Sequence, residues 1–128
     1  VTKSATAILV SAALVGCTTM GDRISPITGE IMAKSQGHDW GYRVDLVGSK
    51  FDAGEAREVA ETRLSRNGFS RAEREALLRF LEVDESAAVF HKDGAMVACS
   101  LDYYVVLGFD RDDRVTEAHG AMYASGCL

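Results

Sequence analysis

Three histidines, three cysteines and a run of aspartates carry the reactive chemistry of this 128-residue chain. Glu117 and His119 stand two residues apart. On a strand that spacing puts both side chains on one face, where they would act as two metal ligands or as an acid–base pair. The plainer reading is a polar strand edge. His38 lies beside Asp39 in a segment of loop character, and His91 reads as a surface residue paired with Met96 across a hairpin. Asp110, Asp112 and Asp113 suggest a calcium loop. An EF-hand, however, needs a longer ligand series ending in Glu, and Arg111 and Arg114 interleave here, so a solvated turn is expected. There is no Gly-x-Ser-x-Gly elbow and no Cys-x-x-Cys pair of the kind that holds zinc. No catalytic residue, metal or cofactor is assigned, and the chain is read as non-enzymatic.

Composition bounds the rest. With 47% hydrophobic and 26% charged residues, the chain is too apolar to remain disordered. Its length suits one domain with one core. A net charge of −5 argues against nucleic acid, because phosphate binding needs a basic face. The single proline, Pro26, falls early and suggests a linker.

The stretch AILVSAALVGC, residues 7–17, is the most apolar in the chain. Eleven helical residues reach only ~17 Å, against ~30 Å of bilayer hydrocarbon. A positive start at Lys3, a short apolar middle and small residues after it match a secretory signal. Its end, Leu14-Val15-Gly16-Cys17, resembles the lipobox of bacterial lipoproteins. That resemblance implies diacylglycerol on the Cys17 thiol, cleavage just before it and acylation of the new amino terminus. Two or more acyl chains anchor stably, where one is marginal. Thr18, in place of the Asp that retains enteric lipoproteins in the inner membrane, implies the outer membrane, facing the periplasm. Residues 1–16 are then a signal peptide, 17–29 a lipidated tether and 30–128 a single domain. The implied partners are membrane lipid, through Cys17, and an envelope protein.

Export also settles the expectation for the other cysteines. In an oxidising compartment, with Cys17 taken by lipid, Cys99 and Cys127 remain as an even pair, so one disulfide is expected. Closing that loop would stabilise the fold by roughly 3–4 kcal/mol on the chain-entropy model.

These groups must be positioned by local elements. Residues 31–34 suggest a short strand. In WGYRVDLVG, Trp40, Tyr42, Val44 and Leu46 alternate with Arg43 and Asp45, as in a half-buried strand. Asp52 and Glu55 form a capping box ahead of a helix with Ala56, Val59, Ala60, Arg63 and Leu64 at helical spacing. Asn67-Gly68 supplies its left-handed stop. Ser70 and Glu73 form a second box before a helix carrying Leu77, Leu78 and Leu81. Asp93-Gly94 signals a two-residue hairpin, which pairs His91 with Met96, Phe90 with Val97 and Ala88 with Cys99.

In the next strand Val97, Cys99, Leu101, Tyr103, Val105, Leu107 and Phe109 share a core face. The opposite face, with Met96, Tyr104 and Val106 beside His91, is half apolar. It is therefore either covered or a contact surface. Asp113 stands where a left-handed turn residue is needed. The last strand turns inward either Thr116, Ala118, Gly120 and Met122 or Val115, Glu117, His119 and Tyr123.

The expected fold class is α+β, two helices packed on an antiparallel sheet of four to five strands. The lipobox, the helix pair and the hairpin YYVVLGFDRDDRV together resemble the SmpA/OmlA family, small lipoproteins of the outer-membrane β-barrel assembly machinery. The strand before the helices is an addition to that family's plan, and no binding residue carries across. The expected function is a membrane-anchored, non-enzymatic envelope lipoprotein that presents its domain for interaction with a protein or an envelope component. A small-ligand-binding or inhibitor-like module is the alternative. The cysteine arithmetic is tested by non-reducing mass spectrometry: a peptide joining Cys99 to Cys127 is expected, and free thiols at both positions would remove the bridge.

Overall fold

The computed structural model describes residues 25–78, 83–95 and 99–125. The fold is α+β. Its elements are α1 (Pro26–Lys34), β1 (Val44–Asp45), α2 (Arg57–Arg66), β2 (Ser70–Ala72), α3 (Arg74–Leu78), β3 (Ala88–Ala95), β4 (Ser100–Phe109) and β5 (Val115–Ser125). The five strands form one sheet in the order β1-β5-β4-β3-β2, and every paired neighbour is antiparallel.

Two helices lie on one face, as expected, but they are a different pair. The first is α1, in a segment read as tether and short strand. Ser25 caps it, its Oγ accepting from the Thr28 amide at 3.3 Å, and Pro26 opens it. Proline suits a first helical turn because the amide it lacks would go unbonded there. Ile27 and Ile31, four residues apart, then face the core, with Ile31 lying over Gly120. The second is α2, whose Ala60 and Leu64 pack into the same core with Phe51 and Phe69. Half of the expected capping box forms: the Asp52 amide donates to Glu55 Oε1 at 3.1 Å. The helix proper begins later, at Arg57, because the backbone of Gly54, Glu55 and Arg57 first hydrogen-bonds to Val115 and Asp113; the Glu55 carboxylate also holds Arg63 in a two-pronged pair of 2.5 and 2.9 Å. Gly68, at φ +86°, provides the left-handed stop.

The second expected helix is replaced at its start. Ser70, Arg71 and Ala72 pair with His91, Phe90 and Val89 as an edge strand, so Ser70 caps nothing. The α3 helix follows on the opposite sheet face, where Leu77 joins Val83, Ala87, Val89, Val106, Ala121 and Tyr123. Leu81 lies outside the described residues. Of WGYRVDLVG only Val44–Asp45 is strand. The chain bends at Gly41 (φ +84°), which leaves Trp40 50% and Tyr42 42% exposed rather than inward.

The hairpin is longer than expected. His91 faces Tyr104, Phe90 faces Val105 and Ala88 faces Leu107, so each partner stands eight positions beyond the expected one. Asp93 and Gly94 lie within β3, opposite Asp102 and Leu101. Gly94 serves close approach instead of a turn: a Cβ there would stand 2.5 Å from Tyr103 Cε2 and 3.1 Å from Leu101 Cβ. The slip is an even number, so Phe90 keeps its face and joins Leu101, Tyr103, Val105 and Leu107 in the core. Val97 lies outside the described residues.

Asp113 takes the left-handed conformation (φ +57°), as the sequence required. Beyond that turn Ala118, Gly120 and Met122 lie on the helix-covered face. Val115 joins them because the β4–β5 register shifts at Gly108/Phe109.

The glycine requirement at position 94 is testable. Gly94→Ala should destabilise the chain by about 1–3 kcal/mol in urea unfolding, the ordinary cost of overpacking. Gly94→Asn, which a left-handed turn would tolerate, should cost at least as much.

Candidate functional site

The face opposite α1 and α2 carries most of the expected contact residues, and the structure divides them. Val106 is 3% exposed, buried beside Val89 and Leu77 in the cluster under α3, and so is no contact residue. The half-apolar face is covered at its centre because α3 crosses to that side. Met96 lies outside the described residues. His91 and Tyr104 remain half-buried and directly opposed across β3 and β4. Their rings stand 5.0 Å apart at 44°. Tyr104 in turn meets Tyr123 edge-on at 5.9 Å.

Beyond this aromatic row lie two carboxylates. Asp93 and Asp102 face each other across the ladder. His91 Nε2 is 2.8 Å from Asp102 Oδ1 and 3.5 Å from Asp93 Oδ1. The sequence reading missed this grouping because its hairpin register placed Asp102 far from His91. Strand parity alone puts His91 and Asp93 on one face; only the observed pairing adds Asp102.

A second feature lies at the end of α1. Met32, Leu101 and Met122 line a groove of about 500 Å³, rimmed by His38, Asp39 and the half-exposed Trp40. Tyr42 stacks on His38 with ring centres 3.6 Å apart. Reading Trp40 as a strand residue facing the core concealed this groove, although a Gly after Trp was a signal for a bend.

Glu117 and His119 share a face of β5 as expected but are not brought together as an acid–base pair. Glu117 is exposed, its side chain lying over Gly108. His119 is 7% exposed, and its Nε2 has no hydrogen-bond partner. Burial pushes its pKa down to about 4; Arg43 adds to the effect and Asp45 opposes it. It is therefore neutral near pH 7. Asp45 faces it across β1 and β5. The aspartate turn is built as a turn: Asp110 Oδ1 accepts from the amides of Asp112 and Arg114 at 2.9 and 3.1 Å.

Cys99 precedes β4 and is half-buried. Cys17 and Cys127 lie outside the described residues. Ser100 pairs with Ser125, two residues before Cys127 in sequence. Among the described residues no helix is long and apolar enough to cross a membrane.

The state of His119 has a pH signature. Its folded pKa lies below the ordinary value near 6.5, so the unfolded chain binds the proton more readily. The resulting stabilisation is complete above about pH 6.5 and fades as pH falls towards 4. It amounts to on the order of 3 kcal/mol. His119→Leu should flatten the unfolding free energy across that window. The Glu55–Arg63 pair, which lowers the Glu55 pKa, is lost only at more acid pH and is separable. No family model matches this chain, and neither does any curated protein or solved structure.

Proposed function

We propose that the protein is a lipid-anchored envelope lipoprotein that presents its α+β domain to a protein partner, without catalysis of its own. The observation that carries this reading is the run AILVSAALVGC, ending in Leu14-Val15-Gly16-Cys17, placed just ahead of a folded domain. Residues 18–24 separate Cys17 from Ser25, where the α1 cap begins. Fully extended, that length reaches at most ~25 Å. The acyl chains on Cys17 hold the domain close to the membrane, and cleavage before Cys17 removes residues 1–16. An outer-membrane site facing the periplasm follows from Thr18. A disulfide between Cys99 and Cys127 ties the chain end to β4, a pairing favoured by the Ser100–Ser125 register.

The partner meets the domain at Trp40. A half-exposed indole beside a groove lined by methionines is the kind of surface enriched at interfaces. The alternative, a small-ligand module, draws on the same groove, whose volume of about 500 Å³ falls in the ordinary range for ligand pockets.

Two measurements test the reading. Metabolic labelling with palmitate should mark the wild type, and Cys17→Ala should abolish both the label and retention in the membrane fraction. If Cys17→Ala sediments with membranes as firmly as wild type, the anchor assignment fails. Pull-down from solubilised envelope should recover a protein that is lost with Trp40→Ala and retained with Val59→Ala on exposed α2. Recovery of no such protein favours ligand binding.

A further inference from the structure

The cluster of His91, Asp93 and Asp102 is unlike the rest of the surface. Two carboxylates face each other on adjacent strands, an arrangement that destabilises a sheet unless a positive charge stands between them. One imidazole Nε2 offers at most a single proton, so it serves one carboxylate at a time. Its separations of 2.8 and 3.5 Å from the two carboxylates leave Asp93 the less well satisfied.

We infer that His91, Asp93 and Asp102 bind one first-row divalent transition ion, of the zinc class, on this face of the sheet. Their donor atoms lie within 4.8 Å of one another. A tetrahedral zinc ion binds imidazole nitrogen and carboxylate oxygen at ~2.0–2.2 Å, which sets neighbouring donors roughly 3.3–3.6 Å apart. The His91–Asp93 separation of 3.5 Å already falls in that range, and the His91–Asp102 separation of 2.8 Å need widen by only about half an ångström to enter it. Imidazole with carboxylates suits zinc and its neighbours, whereas calcium and magnesium prefer oxygen alone. Three protein donors leave the remaining positions to water, and Asp93, with its side chain 87% exposed, opens the site to solvent.

The frame is already rigid. All three residues stand on paired strands, and His91 is held against Tyr104, itself backed by Tyr123. The ion supplies the charge that the opposed carboxylates lack. This inference is independent of membrane anchoring.

Calorimetric titration of Zn²⁺ into the chain carrying Cys17→Ala, which leaves neither an acyl anchor nor a thiol at that position, tests it. One ion per chain is expected, with His91→Gln, Asp93→Asn and Asp102→Asn each weakening binding roughly tenfold or more, and His38→Gln leaving it unchanged. Asp93 is exposed, so Asp93→Asn reports on binding even if Asp102→Asn fails to fold. The inference is overturned by absence of binding up to about 1 mM Zn²⁺, or by binding that survives both His91→Gln and Asp93→Asn. Ca²⁺ binding as tightly as Zn²⁺ would overturn the transition-ion assignment.

Discussion

Val105 and Val106 are consecutive residues of β4, at 0% and 3% exposure, and this two-sided burial organises the molecule. Neighbouring strand residues point to opposite faces, so the centre of the sheet must be covered above and below. On one side α1 lies against β5, and α2 brings Ala60 and Leu64 into the same core. On the other, α3 packs on β3 and seals Val89 and Val106. His119 stands opposite Val106 in β5 and is buried with it, which is why it is neutral and ill suited to proton transfer near pH 7.

The helix-covered side is held by a polar node between three elements. Asn67, at the end of α2, accepts from the Ile27 amide through Oδ1 at 3.1 Å and donates to the Arg63 carbonyl at 2.8 Å. Lys92 of β3 reaches the Asn67 carbonyl at 2.9 Å, with Ser25 and Thr28 hydroxyls at 3.4 and 3.3 Å. The start of α1 is thus joined to the end of α2 and to the sheet. Burial pushes the Lys92 pKa down; the three oxygen acceptors offset the cost of desolvating the ammonium. A cation at the carboxyl end of α2 is also favoured by the helix dipole. This node fixes the position of α1, and so of the groove at its far end beside Trp40.

With the centre of the sheet closed on both faces, function is left to the margins. The apolar groove and the His91–Asp93–Asp102 cluster draw on the same part of β4, where Leu101 and Asp102 are neighbours that point to opposite faces. A partner at Trp40 and an ion at Asp102 would therefore occupy opposite sides of one strand end. That strand end adjoins Cys99, and a bridge from Cys99 to the chain end would stiffen both surfaces.

Periodicity and turn chemistry were enough to settle which residues of β4 face the core, where α2 stops at Gly68 and that Asp113 turns left-handed. Each depends on neighbours within a few residues, so the sequence alone carries it. The compartment reading, too, rests on a local string ending at Cys17. Only the tertiary structure decided the register of β3 on β4. The Asp93-Gly94 pair satisfies a turn as well as it satisfies close packing under Tyr103, and an even slip leaves every side chain on its expected face. It also decided that Ser70 opens an edge strand, because that segment takes its conformation from pairing with β3; Ser25-Pro26, a cap followed by a first-turn proline, was by contrast a local helix signal that the expectation of a tether passed over. The His91–Asp102 contact joins residues eleven positions apart through that register, and no local pattern encodes it.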